Sequence, residues 1–360
     1  YLVENSLGRL WMLNHPDSRL GEQMDYYIAP VDEETDFLKI TKPEELTVID
    51  PACGSGHMLT YAFDLLYAIY EEEGYTPSQI PSLILTHNLF GTEIDPRAGA
   101  LAAFALTMKA AAMRKLFLKN PVEPNICVLT PISFSDDELS YLVTKDGDRH
   151  AEEVFWNQFA EADTFGSLIQ PDPALTVRLS EHLATLDDQG DILRADVLDG
   201  AGQVIRQAEY LLSRYSVVVA NPPYMQSDNM SETLREFAQT QFPESKADLF
   251  AMFIQRNRSL AVSAGAVGMI TMNSWMYLKS FELLRRATLF RGQLLTLVDL
   301  GTGAFPTIPG QVVSAAAFVL SNVRRPTGST VFVDATAVGA SSAKERLLLE
   351  AVSDAGASTR

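Results

Sequence analysis

The sequence predicts an α/β protein built on a doubly wound, mostly parallel sheet, and three observations lead there. From residue 46 onward, short apolar β-rich runs alternate with longer helical patterns. The runs are near-continuous rather than alternating, as strands covered on both faces are. The last two long runs, 294–300 and 313–322, have no helix between them, so the final strand pair is expected to be antiparallel.

In chain order, residues 1–45 read as a helical lead-in, because YLVENSLGRLWML has helical periodicity. Its start at Tyr1 inside that pattern suggests a fragment of a larger protein with its upstream part missing. The expected strands are LTVID (46–50), LFGTEID (89–95), DILRAD (191–196), YSVVVAN (215–221), AVGMITMN (266–273), LLTLVDL (294–300) and VSAAAFVLSN (313–322). Helical periodicity covers 57–73, 96–118, 201–213, 246–263 and 279–291. These elements fill two halves of one sheet domain, 46–118 and 191–325. Residues 119–190 show no strand–helix rhythm and are rich in Pro and acids, which marks a largely helical insertion. The trailing VFVDAT and ERLLLEAV place 326–360 at the start of a linker to a missing C-terminal region.

At 360 residues and 47% hydrophobic composition the chain can bury a full core, but its net charge of −18 argues against binding nucleic acid by bulk phosphate attraction. Cys53 and Cys127 are the only cysteines and have no metal spacing, which disfavours a disulfide framework and a zinc site and suits a reducing cytoplasm. The most apolar stretch, 98–113, is broken by Lys109 and too short for a bilayer, so no membrane association is expected.

The first strand ends in DPACGSG, a Gly-rich turn leading into a helix. Gly54 and Gly56 permit close ligand approach, but Leu59 stands where a dinucleotide fingerprint needs its third glycine, and a phosphate-binding G-K-[ST] is absent. A nucleoside ligand without pyrophosphate fits better. Asp50 suits a ligand with a positive amino group, and an acid after the second strand, Glu93 or Asp95, can accept ribose hydroxyls. The competing reading is that these acids cap the following helices.

A third feature, VVVANPPY, ends a buried strand in Asn221, Pro222, Pro223 and Tyr224. The prolines fix the backbone and leave carbonyls without competing N–H donors, so Asn221 Oδ1 and the Pro222 carbonyl can both accept from one planar NH2 group. Tyr224 can stack on the ring that carries it. Two acceptors localise electron density on such a nitrogen, and no strong base is then required.

Together these motifs resemble the S-adenosylmethionine-dependent amino-methyltransferases of the DNA adenine-N6 class, which have a class I, Rossmann-like methyltransferase fold. The resemblance covers about residues 46–322. YLVENSLGRLW, NLFGTEIDP and FGSLI look most like the large PglX-type methyltransferases of bacterial phage-exclusion (BREX) systems, with Type IIG restriction-modification enzymes also similar. It implies S-adenosyl-L-methionine as cofactor, with Asp50 at the methionine amino end and Pro51, Ala52, Gly54 and Gly56 in the cofactor turn. Glu93 and Ile94 would hold the ribose side, Asp196 and Val197 would form the adenine-contacting loop, and Asn221 would lie beside the cofactor. Asn221-Pro222-Pro223-Tyr224 would be catalytic, with Tyr224 and Phe305 on the faces of a flipped adenine. The partners implied are double-stranded DNA, held mainly by a missing target-recognition region, and other defence-system proteins. Other readings of the same residues are a methyltransferase acting on protein glutamine or RNA, and a non-catalytic cofactor- or partner-binding module.

His57, Cys53 and SDDELS (135–140) read as packing or capping residues. Trp275 and Tyr277 could line a channel or pack, and the cations of FELLRRATLFRG (281–292) form a local basic group that could touch DNA phosphates or, the preferred reading, make a solvated helix face.

Overall fold

A computed structural model describes the chain except residues 189, 305–312, 324–327, 340 and 359–360. Its centre is one sheet of eight strands: β1 (Val48–Asp50), β2 (Leu89–Glu93), β3 (Asn125–Val128), β4 (Tyr215–Ala220), β5 (Ala261–Met272), β6 (Gln293–Thr302), β7 (Ser314–Ser321) and β8 (Val331–Asp334). They lie in the order β3-β2-β1-β4-β5-β7-β6-β8. β7 runs antiparallel to both β5 and β6, and the remaining pairs are parallel. The α/β sheet with an antiparallel β6–β7 pair is therefore as expected.

β4 shows why its sequence is apolar from Val217 to Ala220, after Ser216, whose buried hydroxyl donates to the Glu45 carbonyl. Val217 and Val219 face one core with Leu7, Trp11 and Phe63, while Val218 and Ala220 face the other with Phe250 and Ile254. Burying one such side chain is worth about 1.5–3 kcal/mol, and a polar residue without a partner in the core fits only past the sheet edge, where Asn221 stands. A third core joins Phe134, Trp156, Phe159 and Leu179 to the Ile192–Leu212 helix, tying residues 129–211 together.

Three expectations need correction. DILRAD is not a strand. Asp191 caps a helix by accepting from Leu193 N at 2.9 Å, and Val197, Ala201, Val204, Ile205 and Ala208 form that helix's buried stripe. The missing strand is β3, inside the segment read as helical; it pairs parallel to β2 from Phe90↔Asn125 to Glu93↔Val128. Its four residues are mostly half-buried and follow Pro121 and Pro124, so neither length nor pattern announces a strand. Residues 326–360 are also more than a linker start. VFVD pairs parallel to β6, and Lys344 of the following helix donates to the Ala335 carbonyl at 2.7 Å.

Of the lead-in, only its first part, up to Asn14, is a continuous helix; the rest is irregular chain with two short 3-10 turns, Leu20–Gln23 and Pro43–Glu45, and the segment packs on the sheet. Asn5 donates to the carbonyls of Tyr1 and Tyr26 and accepts from Ile28 N, and the Tyr1 hydroxyl reaches Thr296 Oγ1 at 2.8 Å. No described helix is long and apolar enough to cross a membrane.

Candidate active site

β1 and β4 are neighbours, pairing Ile49 with Val218, so their carboxyl ends emerge side by side. This is the topological switch point of the sheet, where open α/β proteins collect ligands. Two cavities meet there. One, about 340 Å3, is lined by Pro51, Ala52, Glu93, Ile94, Asn221 and Pro223, with Phe253 behind them. The other, about 420 Å3 and largely apolar, is bordered by Tyr1, His57, Tyr61, Asn221, Ile270 and Leu300. Asn221 is the residue they share.

The turn after β1 is shaped by its glycines. Gly54 and Gly56 have φ of +52° and +81°, in the left-handed region that other residues avoid. Nothing lies within 4 Å of the place a Gly54 Cβ would occupy, so the turn is open on that side. Glu93 holds the turn down: Oε2 accepts from Gly54 N at 2.7 Å, and Oε1 from Ile94 N at 2.9 Å and Asp95 N at 3.1 Å. A carboxylate offers about four lone-pair positions, which leaves Glu93 room for one further donor on Oε2 rather than two. Asp95 is the helix cap, bonded to Arg97 N and paired with the Arg97 guanidinium, which holds its carboxyl below the usual range.

Asp50 is 3% exposed and accepts from Ala52 N at 3.1 Å, and among the described residues no ion pair engages it. Burial, reinforced by the Glu93 charge, pushes its carboxyl up to about 7. The site thus holds an uncompensated acid that a cationic group would satisfy. Among the described residues no group of three or more His, Cys, Asp or Glu is placed to hold a metal ion.

On the β4 side, Pro222 is buried and Asn221 exposed, with the Tyr224 hydroxyl 3.4 Å from both Asn221 Oδ1 and the Ile270 carbonyl. Tyr224 meets Phe250 edge to face with centroids 6.0 Å apart. Burial, with the nearby Asp248 charge, raises its phenol to about 12, so it is neutral at physiological pH. Asp248 anchors this loop. Its Oδ1 accepts from Met225 N at 3.0 Å and from Phe250 N at 3.3 Å, while Leu249 N donates to the Met225 carbonyl. The sequence reading missed that role, although an Asp before the apolar run LFAMFI is a helix-start signal.

Asp196 and Val197 are not at the site. They lie within the Ile192–Leu212 helix, Asp196 exposed and Val197 in the third core, and neither lines the two cavities. The smaller cavity is lined instead by Thr164–Ser167, which runs into the FGSLI stretch and touches Ile94 at Gly166. Ser167 Oγ donates to the Pro51 carbonyl at 2.6 Å and lies 2.7 Å from Thr92 Oγ1, and buried Arg256 holds the Ser167 and Ile169 carbonyls. Phe305 lies outside the described residues.

His57 lines the larger cavity. Trp275 is buried against Phe318 at 5.0 Å and so packs, while Tyr277 is exposed. Ser135 and Glu138 form a capping box, as SDDELS suggested. Cys53 is buried beside the turn.

Comparison with known proteins gives one consistent family. The profile of the family described as Eco57I restriction-modification methylase matches residues 87–305. Among curated proteins, the adenine-specific methyltransferase BrxX of Escherichia coli O9:H4 (strain HS) is 39% identical over 356 residues, covering 89% of this chain and 30% of that protein. The adenine-specific methyltransferase PglX of Lacticaseibacillus casei (strain Zhang) is 34% identical over 342 residues, covering 89% of this chain and 28% of its own. The chain thus spans under a third of the length of these curated relatives. A nuclease-deletion mutant of the Type ISP restriction-modification enzyme LlaGI, in complex with a DNA substrate mimic, shares the fold with a TM-score of 0.51 and 15% identity, over 86% of this chain and 23% of that one. The DrdV–DNA complex matches at a TM-score of 0.50 and 14% identity, over 97% of this chain and 30% of that one.

Proposed function

Because the chain belongs to the Eco57I restriction-modification methylase family, we propose that it is the core of a methyltransferase that moves a methyl group from S-adenosyl-L-methionine to the N6 amine of a flipped-out adenine in double-stranded DNA. Its relatives BrxX and PglX suggest a setting in BREX-type phage defence or restriction-modification. The carrying observation is Asn221, which stands where the two cavities meet and has Tyr224 beside it.

The residues present fit the cofactor. Asp50 lacks a cation and would pair with the methionine ammonium. Glu93 Oε2 would take one ribose hydroxyl, and the open side of Gly54 admits the ligand that a side chain would block. Ile94 and Thr164–Ser167 would flank the cofactor's adenine. When bound, the cofactor supplies an electrophilic methyl group on sulfonium.

The target base leaves the duplex stack at a cost of about a few kcal/mol. Asn221 Oδ1 and the Pro222 carbonyl accept from its N6 hydrogens, which orients the amine and raises electron density on nitrogen. Pro223 keeps the backbone from turning back, and Tyr224, neutral and anchored by packing on Phe250, offers its ring face. Holding the amine in line makes the displacement effectively unimolecular. DNA phosphates are expected to be held largely by other parts of the longer protein, consistent with a chain of net charge −18.

Incubating the full-length protein with methyl-labelled cofactor and duplex DNA tests this reading. Label recovered as N6-methyladenine is expected, and label found only on protein or RNA would contradict it.

A further inference from the structure

The Leu249–Leu260 helix has 12 residues, so its C-terminal end lies about 18 Å from Asp248. A cavity of about 410 Å3 opens at that end, lined by Arg256, Arg258 and Arg291, with Glu244 as the single carboxylate among its lining residues. Arg256 is 3% exposed and donates only to neutral acceptors: the carbonyls of Ser167, Ile169 and Leu211, and Ser259 Oγ. Arg258 donates to the Ala287 carbonyl at 3.2 Å and Asn322 Oδ1 at 3.5 Å, and its Nε is buried without a partner. Among the described residues, no ion pair engages any of the three guanidinium groups.

Cations near helix C-termini are ordinary, since free carbonyls and the helix dipole favour them by about 0.3–1 kcal/mol each. That effect explains one arginine on a solvated surface. It does not explain three facing one cavity, one of them fully buried, on a strongly acidic chain. Carbonyls satisfy the N–H donors but bring no countercharge, and Arg258 and Arg291 repel each other. Guanidinium forks match the oxygens of a phosphoryl group, and the volume suits a small molecule.

We propose that this cavity binds a small phosphorylated ligand, its phosphoryl oxygens engaging Arg258 and Arg291 and its organic part lying against Phe242 and Leu284. The site is separate from the edge where Asn221 stands and does not depend on methyl transfer. A ligand there would also lie beside Arg256, whose bonds to Ser167 and Ile169 support the wall of the smaller active-site cavity.

The test is thermal unfolding of the protein in inorganic phosphate or adenosine monophosphate, against sodium chloride at matched ionic strength. At about ten times Kd a rise in Tm of about 2 °C is expected with a phosphorylated ligand and not with chloride. Arg291→Gln changes an exposed side chain, so it should keep the unliganded Tm and lose the rise, and Arg258→Gln should lose it as well. An equal rise in chloride, or a rise unchanged in both variants, would overturn the proposal. So would a rise produced by a poly-glutamate peptide and not by phosphate, which would assign the cavity to an acidic protein segment.

Discussion

The two ends of the Leu249–Leu260 helix carry buried charges of opposite sign, and among the described residues neither is paired with a counterion. At the first end Asp248 is satisfied by N–H groups of Met225 and Phe250. At the other, Arg256 is satisfied by three carbonyls and a serine hydroxyl. The helix dipole favours both placements. The difference lies in what each charge holds. Asp248 fixes the loop that carries Asn221 and Tyr224, whereas Arg256 fixes the opposite wall, Ser167 and Ile169, and borders a cavity with spare positive charge. One helix therefore sets both sides of the active edge.

The largest effect that would sharpen this contrast is at the first end. Asp248→Ala frees two backbone N–H groups and releases the Tyr224 loop, and small displacements of reacting groups cost about 100-fold in rate. Methyl transfer should fall by about that factor, with about 1 kcal/mol lost in urea unfolding from the missing cap. Asp248→Asn keeps an acceptor and should retain most of the activity. At the second end, Arg256→Leu strands three buried carbonyls and should cost about 2–4 kcal/mol of unfolding free energy. If the two variants behaved alike in both assays, the division of labour between the ends would be wrong.

A third prediction concerns Asp50, the other buried acid of the edge. Its carboxyl is raised to about 7 in the free protein, so below that pH it is protonated and must ionise to pair with a ligand ammonium. Cofactor affinity should therefore weaken as pH falls through 7, by up to about tenfold per unit. For the free protein the sign is opposite. A raised carboxyl favours the protonated folded state, so the penalty from Asp50 shrinks as pH drops from 7 toward the unfolded value of about 3.9. Calorimetric titration from pH 5.5 to 8 reads the first effect, and Asp50→Asn should flatten it. The smallest effect is expected at Asp196. It is exposed on a helix and lines neither cavity, so Asp196→Ala should change cofactor affinity by less than about twofold.

Most of the sheet was legible because strands covered on both faces carry runs of apolar residues on both faces, as the alternate burial of Val217, Val218 and Val219 shows. β3 was not legible, since four residues at the outer edge of the sheet, three of them half-buried, leave no pattern. DILRAD misled because three apolar or charged residues after an Asp fit a strand end and a helix cap equally, and only the stripe from Val197 to Leu211 decides between them. Asp50, Glu93 and Asn221 could be located because each ends a strand at the same edge. Thr164–Ser167 could not. Its place beside Ile94 depends on Arg256, 89 residues away from Ser167, and on Ser167 bonding to Pro51.

The central claim, that Asn221 holds the amine and does not serve chiefly to bind cofactor, is tested most directly by measuring both functions in Asn221→Ala of the full-length protein. Cofactor affinity is expected to stay within about threefold, while methyl transfer to DNA falls by about 100-fold or more. Retained transfer, or loss of cofactor binding in step with activity, would contradict it.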